Sequence, residues 1–431
     1  MMRPQRFPSS PSYQAVVRAL LRMHRFTVEG QEESEEAESL RESMSEPWEG
    51  LSMVERDRVT GLSKDLYEMS DHPDRAPAPM NPQAQGKLDE AYEARERGEW
   101  DRALGLLRRW GKCMPAPLLS YLRGRIWSAA GDAATAAVFL EHASQLAPEN
   151  EVFQARLLDA LKTADPSEAA ARANVVLQKS EARKPIVVVR AADIIFEKAR
   201  RISDAEASPT YRRLIPILER TLAKIEDRDD VEHPAKEMAF MLLATCYREI
   251  GDTQRASGYY SRAIQMDPTD DTLLTARGML MYGTDPNAPA DFEQAIRLGS
   301  QLVWPYFYLA RHYLANNRFD DCRLTCERAL QKPASKRVQS ELWELLAISR
   351  THLGYPEPDI RRAFENSLRD DPSNDRALRN FRTFETAVTS RTPQPKNWES
   401  RSESSLRAFA QQENAYPVTE IMAGGMGSVG P

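Results

Sequence analysis

The chain has 431 residues, 41% of them hydrophobic, so it can bury a large core without disulfides or metal ions as a size requirement. Its 58 basic and 64 acidic residues give a net charge of −6, from which we expect no nucleic-acid partner. Its four cysteines form no CxxC pair, and no apolar run is long enough to cross a bilayer. We therefore expect a cytoplasmic protein without a disulfide framework, zinc ribbon or transmembrane span.

Residues 1–50 are predicted to be a flexible N-terminal arm that is first basic and then acidic. Residues 1–28 contain five arginines and no acidic residue, whereas residues 29–49 contain nine glutamates and one arginine. Three interpretations of the basic part remain open: an organellar targeting segment, a short helix over residues 12–26 that binds a partner or a membrane surface, or a loosely ordered arm that folds onto the chain's own acidic segment. The acidic part is typical of a solvated face.

Residues 51–83 are predicted to contain a capping helix and a proline-rich linker. Ser52 and Glu55 have the spacing of a capping box, which marks the start of a helix. Val59, Leu62 and Leu66 then recur at helical spacing. The stretch DHPDRAPAPMNPQAQG follows as a linker.

A period of about 34 residues runs through residues 84–373. Residues that tolerate a left-handed backbone recur at intervals of 33 and 34 in a first group and of 34, 32 and 37 in a second: Gly98, Gly131 and Asp165, then Gly251, Asp285, Asn317 and Gly354. Five residues after most of these turns stands a small residue that would let a neighbouring helix approach: Ala103, Ala136, Ala170, Ala256 and Cys322. Prolines that stop the second helix follow at Pro115, Pro148, Pro268 and Pro372.

This pattern resembles the tetratricopeptide repeat, a helix–turn–helix unit of 34 residues. Residues 237–270 match its consensus nearly throughout, with Phe240, Leu243, Ala244, Tyr247, Gly251, Ala256, Tyr260, Ala263 and Pro268. Residues 117–150 and 303–336 match it less completely, and residues 185–234 would form an enlarged unit of two longer helices. The resemblance implies an all-α, right-handed α-solenoid of about eight antiparallel helix pairs within residues 84–390, closed by a C-terminal capping helix after Pro372.

Residues 391–431 are predicted to be a disordered tail. They are rich in Pro, Ser, Gln and Gly and contain few large apolar residues, too few to form a core of their own.

No catalytic or cofactor motif occurs in the sequence, so we expect neither enzymatic activity, nor a cofactor, nor a metal site. Cys322 and Cys326 lie one helical turn apart and could in principle bind a metal ion or sense oxidants. Because both occupy packing positions of the repeat, we interpret them as core residues.

In the tetratricopeptide family, the first helix of each unit lines a concave groove that receives a peptide or a partner helix. The family's groove positions fall in this sequence on Tyr121, Arg125, Arg156, Asp159, Arg190 and Asp193 in the early repeats, and on Met241, Thr245, Arg248, Met279, Tyr282, Phe307, Tyr308 and Arg311 in the later ones. The family's clamp for chaperone tails needs a set of Lys and Asn residues that we do not find.

These positions suggest a charged half-groove followed by an aromatic and Met-lined one, suited to a ligand with an acidic and an apolar part. The spacing of 34 between Arg156 and Arg190, and between Asp159 and Asp193, stacks like residues as a ladder. Two interpretations of that ladder remain open: it binds the ligand, or it forms salt bridges between adjacent repeats.

The resemblance implies a non-catalytic scaffold for protein–protein interaction. The alternative is a regulatory peptide sensor whose N-terminal arm responds to groove occupancy, and a third candidate is an enzyme on a helical solenoid.

Overall fold

The computed structural model describes residues 7, 10–71, 76–226, 233–390, 392, 393 and 398–413. It divides into two compact units, residues 1–198 and 199–431. Within the described residues the regular secondary structure is entirely helical, which confirms the all-α prediction. The handedness of the solenoid and the number of helix pairs stay predictions.

The first unit begins with four helices and continues with helix pairs. Its helices are α1 (Pro11–Val28), α2 (Glu35–Ser43), α3 (Ser45–Glu49), α4 (Met53–Asp71), α5 (Pro82–Glu96), α6 (Trp100–Trp110), α7 (Ala116–Ala129), α8 (Ala133–Leu146), α9 (Glu151–Ala164), α10 (Pro166–Gln178) and α11 (Pro185–Ala199).

The second unit begins with one long helix, continues with four helix pairs and ends with two further helices. Its helices are α12 (Asp204–Ile225), α13 (His233–Glu249), α14 (Thr253–Met266), α15 (Asp271–Met281), α16 (Ala288–Arg297), α17 (Trp304–Ala315), α18 (Phe319–Ala329), α19 (Lys336–His352), α20 (Glu357–Asp370), α21 (Asp375–Ser390) and α22 (Glu403–Gln412).

Most of the predicted turn residues adopt the left-handed backbone between the two helices of a pair. Gly98, Gly131, Gly251, Asn317 and Gly354 all have positive φ, as the period predicts. Two predicted turns differ. Gly283 rather than Asp285 adopts the left-handed backbone between α15 and α16, since glycine does so without steric cost. Asp165 is extended and caps α10 instead, because its carboxylate accepts from the backbone N–H groups of residues 167 and 168.

The predicted small residues lie where the two helices of a pair come closest. Ala103, Ala136, Ala170, Ala256 and Cys322 are all buried, which confirms their packing role. Gly124 on α7 shows how close the approach is. A Cβ atom built there would lie 2.6 Å from Leu140 Cγ and 3.2 Å from the carbonyl oxygen of Ala136, both on α8.

The N-terminal region is folded, which corrects the prediction of a flexible arm. Helix α1 buries Tyr13, Val16 and Val17 and packs on α4. The predicted capping box also forms: the Ser52 N–H donates to Glu55 Oε2 at 2.9 Å, and the Glu55 N–H donates to Ser52 Oγ at 3.3 Å. The prediction failed because the apolar side of α1 is buried through contact with other helices, among them α3, α4 and α8, and not within its own segment. Residues 1–6 lie outside the described part.

The predicted disordered tail contains helix α22, a second correction. Its Leu406, Phe409 and Ala410 are buried, although the exposed residues around them make the segment polar on average. These side chains have no core of their own and are buried against α17 and α19. The helix is therefore stabilised by tertiary packing, which composition does not report. Residues 394–397 and 414–431 lie outside the described part.

Substitution of Gly124 by alanine should destabilise the first unit, because the added methyl group must displace Leu140 or widen the α7–α8 contact. We expect Gly124→Ala to lower the free energy of unfolding by roughly 1–3 kcal/mol, measured by urea denaturation. Gly105→Ala is the matched control, since Gly105 on α6 is exposed and has nothing within 4 Å of an added Cβ. There we expect a gain of about 0.5–1 kcal/mol. Equal effects of the two substitutions would contradict the close approach.

Candidate functional site

The predicted groove residues lie on α7, α9 and α11 in the first unit, and on α13 and on or beside α15 and α17 in the second. The N-terminal surface comprises the predicted residues of the first helices α7, α9 and α11: Tyr121, Arg125, Arg156, Asp159, Arg190 and Asp193. The C-terminal surface comprises side chains on or beside α15, α17 and α19: Met279, Tyr282, Trp304, Phe307, Tyr308, Arg311, Glu341 and Leu342.

The exposed part of the N-terminal surface contains a stacked pair of aromatic rings, one from α7 and one from α9. The ring of Tyr121 stacks on that of Phe153, with centroids 4.6 Å apart and planes 27° apart. Arg125 lies one helical turn from Tyr121 and donates from Nη1 to its hydroxyl oxygen at 2.9 Å. Tyr121 and Arg125 are both half-buried. The Tyr121 ring and the Arg125 guanidinium group thus lie side by side on this surface.

The charged ladder of the N-terminal surface forms ion pairs between adjacent repeats. Arg190 Nε on α11 lies 3.6 Å from Asp159 Oδ1 on α9, and Lys162 Nζ on α9 lies 2.8 Å from Asp193 Oδ2 on α11. Arg156 Nη1 lies 3.3 Å from Asp159 Oδ2 within α9. Burial raises the pKa of Asp193, against the opposing effect of the Lys162 ammonium group. That the ladder also binds a ligand stays a prediction.

Three predicted residues on α13 pack inside their own helix pair. Met241 and Thr245 are buried, and the Thr245 hydroxyl donates to the carbonyl oxygen of Met241 at 2.8 Å. Arg248 donates from Nη1 to the hydroxyl oxygen of Tyr260 at 3.1 Å and pairs with Glu249 at 2.5 Å. The expectation that Met241 and Thr245 face a ligand needs correction, because buried side chains offer a ligand no surface.

The C-terminal surface is covered by the chain itself. Met279, Phe307 and Tyr308 are buried, and Tyr282 meets Tyr308 edge-on with ring centroids 5.0 Å apart. The cover is the C-terminal segment, residues 398–413, which includes α22. These side chains form one buried cluster, in which Phe409 of the segment packs against Trp304 and Phe307. That the cluster is an aromatic half-groove for a ligand stays a prediction.

The apolar side of α22 lies on α17. The ring centroid of Phe409 is 6.3 Å from that of Trp304 and 6.1 Å from that of Phe307. Leu406 and Ala410 belong to the same buried cluster. Exposed residues such as Arg407 occupy the opposite side of α22. An amphipathic helix thus lies on the first helix of a repeat.

Two arginines hold the start of the C-terminal segment. Arg401 donates from Nη2 and Nε to Glu341 Oε1 of α19, at 2.6 and 3.2 Å. Arg311 of α17 donates from Nη2 to the backbone oxygen of Arg401 at 2.9 Å. At the other end of the segment, Arg337 Nη1 lies 3.1 Å from Glu413 Oε1. Both ends of the segment are therefore fixed by charged groups of the repeats.

The carboxylates beneath Arg401 are almost completely buried. Glu341 and Glu344 on α19 are 2% and 1% exposed. Arg376 of α21 bridges them, with Nη2 2.6 Å from Glu341 Oε2 and in contact with Glu344 Oε2 as well. Asn380 donates to Glu344 Oε1 at 2.7 Å. Burial raises the pKa of Glu344, whereas Arg376 and Arg401 outweigh burial at Glu341 and lower its pKa.

Sequence reasoning missed this polar cluster. In the sequence the cluster is visible only as two glutamates three residues apart. Glu344 lies inside the largely apolar run LWELLAIS, and Glu341 lies directly before that run. A helix of a stacked array with two acidic residues on its inner side requires cations from elsewhere. Those cations, Arg376 and Arg401, come from 32 to 60 residues further along the chain, so the local sequence does not identify them.

The first residues of the C-terminal segment are also fixed. Trp398 donates from Nε1 to His352 Nε2 at 3.0 Å, and the His352 ring stacks on Phe319 with centroids 4.0 Å apart. The Asn380 side-chain amide exchanges two hydrogen bonds with the backbone of Glu399, at 3.0 and 3.1 Å. Burial lowers the pKa of His352, which favours its neutral form.

Among the described residues, no group of three or more His, Cys, Asp or Glu side chains is placed to hold a metal ion. In the same part of the chain, no helix has the length and hydropathy needed to span a bilayer.

Comparison of the sequence with protein-family models and with curated proteins gave no match. Comparison with solved structures gave similar helical proteins at low identity. A tetratricopeptide repeat protein from Parabacteroides merdae is 15% identical over 62% of this chain and 99% of its own, with a TM-score of 0.40. The C-terminal part of a TPR repeat-containing protein from Cytophaga hutchinsonii is 13% identical over 68% of this chain and 98% of its own, with a TM-score of 0.34.

A third similar structure corrects the exclusion of nucleic acid. The human IFIT1 dimer, solved with the capped RNA m7Gppp-AAAA, is 12% identical over 78% of this chain and 82% of its own, with a TM-score of 0.39. A monomeric IFIT1 mutant with Gppp-AAAA is 11% identical, with a TM-score of 0.41. A protein of helical repeats thus occurs with RNA, so the net charge of −6 does not exclude a nucleic-acid partner.

At TM-scores below 0.5, these likenesses carry no argument about how the repeats are arranged. The assignment rests on the helix pairs themselves, on their left-handed turns and on the small residues buried between the helices. By these features the chain is a tetratricopeptide-like helical-repeat protein.

Proposed function

We propose that the chain is a non-catalytic cytoplasmic scaffold that binds a peptide or an amphipathic helix of a partner protein on the first helices of its repeats. One observation carries this proposal: the C-terminal segment lies on α17 and α19 as an amphipathic helix with buried Leu406 and Phe409. A surface that packs Leu and Phe side chains of one helix has the chemistry to pack those of another.

The chemistry of the C-terminal surface favours a polypeptide over RNA. Its lining is mainly aromatic and apolar, and the carboxylates of Glu341 and Glu344 balance the charge of the neighbouring arginines, so the surface has no excess positive charge to bind phosphate groups. Its present occupant also meets it through aliphatic and aromatic side chains rather than through charge alone. Binding of RNA is the alternative that the capture experiment distinguishes.

The N-terminal surface supplies a second contact in this proposal. The Tyr121 ring and the Arg125 guanidinium group are half-exposed, and an arginine next to an aromatic ring suits an acidic side chain followed by an apolar one. Arg190 and Asp193, in contrast, connect α11 to α9 and have a structural role.

Release of the C-terminal segment should increase partner binding. The double variant Leu406→Asp/Phe409→Asp removes two buried side chains, worth about 1.5–3 kcal/mol each, and places charges where they were. We expect the full-length variant to retain more protein in quantitative affinity capture than the wild type. An excess of a peptide of residues 398–413 should displace that protein.

Arg407→Asp is the matched control, because Arg407 lies on the exposed side of the same helix. We expect it to capture what the wild type captures. Identical captured material in all three proteins would contradict the proposal. Recovery of RNA that ribonuclease removes together with the captured protein would assign the surface to nucleic acid instead.

Charge reversal should separate the structural from the binding residues of the N-terminal surface. Arg190→Glu replaces a buried guanidinium group by a carboxylate beside the half-buried Asp159, and should lower the free energy of unfolding by about 1–3 kcal/mol in urea denaturation. Arg125→Glu should change stability by about 0.5 kcal/mol or less, because Arg125 is half-exposed, and should reduce partner capture. Unchanged capture by Arg125→Glu would remove this surface from the proposal.

Attachment of the C-terminal segment should weaken as the pH falls. Only neutral His352 accepts the Trp398 hydrogen bond, and its pKa is lowered from the ordinary 6.5, so this stabilisation is present above 6.5 and is lost as the pH falls through the lowered pKa. His352→Phe keeps the ring on Phe319 and cannot titrate. We expect the wild type to protect residues 403–412 from hydrogen exchange better than His352→Phe at pH 7.5, and this difference to shrink as the pH is lowered below 6.5. A difference independent of pH would contradict this assignment.

A further inference from the structure

The C-terminal segment shows a specific pattern of contacts with the surface that it covers. Its Arg401 meets a buried carboxylate, its Leu406 and Phe409 lie five and eight residues later in the aromatic cluster, and its Glu413 meets Arg337. The two charged contacts are made with α19, and the two apolar side chains enter one buried cluster that includes Trp304 and Phe307 of α17.

We propose that Glu341 is an arginine-recognition site, and that the partner of the C-terminal surface is an amphipathic helix preceded by an arginine, with Leu and Phe spaced as in residues 401–409. The C-terminal segment is then an internal occupant with the same chemistry, which the partner displaces. This inference rests on the proposed function and adds the identity of the recognised side chain.

The geometry at Glu341 divides its two carboxylate oxygens between two arginines. Oε2 accepts from Arg376, which belongs to α21 of the repeats, at 2.6 Å. Oε1 accepts from Nη2 and Nε of Arg401 at 2.6 and 3.2 Å. In the described part of the chain, every hydrogen bond to Oε1 comes from Arg401. One oxygen is thus part of the fold, and the other is the oxygen that meets the segment.

Burial makes this contact selective. Glu341 is 2% exposed when the segment is in place, so a bound helix without an arginine would enclose Oε1 with no donor. An enclosed carboxylate without a partner is strongly unfavourable, which penalises such a helix more than the lost contact alone. Lysine is a poor substitute, because a single ammonium group does not reproduce the paired Nε and Nη2 donors.

Arg311 sets the position of the recognised arginine along the chain. It donates to the backbone oxygen of Arg401, just before α22 begins at Glu403. Burial lowers the pKa of Arg311, so a carbonyl acceptor at its guanidinium group offsets part of the desolvation cost. The site therefore binds an arginine that precedes a helix, with both its side chain and its backbone held.

The first test uses the full-length chain. We expect Arg401→Ala to accelerate hydrogen exchange at residues 403–412 at least tenfold, Arg401→Lys to give an intermediate effect, and Arg407→Ala to stay within twofold of the wild type. Arg407→Ala is the matched control, because this substitution also removes one positive charge, but from the exposed side of α22. Equal exchange in Arg401→Ala and Arg407→Ala would overturn the arginine site.

The second test adds the ligand from outside. The full-length Leu406→Asp/Phe409→Asp variant, with folding checked by circular dichroism, is titrated with labelled peptides of residues 398–413 in fluorescence anisotropy. We expect the wild-type and Arg407→Ala peptides to bind alike, and the Arg401→Ala peptide to bind at least tenfold more weakly. Glu341→Gln introduced into the same variant should remove that difference.

The outcomes separate this inference from the function on which it rests. Binding of all three peptides with equal affinity overturns arginine recognition and leaves the proposed function in place. No binding of the wild-type peptide, together with faster exchange in Arg401→Ala, assigns the segment to a fixed cap. In that case the proposed function fails at this surface and the partner helix fails with it.

Discussion

The structure depends on one constraint: a pair of helices buries only part of its apolar surface, so each pair needs a neighbour. Within each unit the next pair supplies that cover. Inside a pair, close approach at small residues such as Gly124 of α7 and Ala136 of α8 makes the contact between the two helices tight. This need for cover is greatest at α17, the first helix of its pair, because its side chains Trp304 and Phe307 are large and aromatic. There the C-terminal segment supplies the cover, and its helix exists only because that surface is available.

Apolar packing alone does not determine which helix covers such a surface or in which direction. The buried pair Glu341 and Glu344 adds that information, because each carboxylate must find a cation at a defined position. Arg376 satisfies the pair from within the repeats, and Arg401 completes it from the covering segment. A buried charge of this kind contributes to the choice of partner and register rather than to net stability.

The sequence predicted the features that depend on local chemistry and repeat regularly. The positive φ at Gly98, Gly131 and Gly251 follows from the tolerance of glycine for a left-handed backbone, and the 34-residue period places them. Helix α22 and the burial of Phe307 depend instead on contact between segments about 100 residues apart, which neither composition nor period reports. For the same reason, register alone placed Met241 on an accessible surface although neighbouring helices bury it.

The register of a repeat therefore predicts the direction in which a side chain points. Whether a ligand can reach that side chain depends on the other segments of the chain that pack against it. The two surfaces illustrate both cases. Tyr121 and Arg125 are half-exposed, whereas Phe307 lies against Phe409 of α22 and Tyr308 stacks on Phe292 of α16. A covering helix must bind well enough to hide aromatic side chains and weakly enough to be exchanged. Its two charged contacts differ in this respect: the contact of Glu413 with the half-exposed Arg337 can exchange with solvent, whereas the buried contact of Arg401 with Glu341 sets the register.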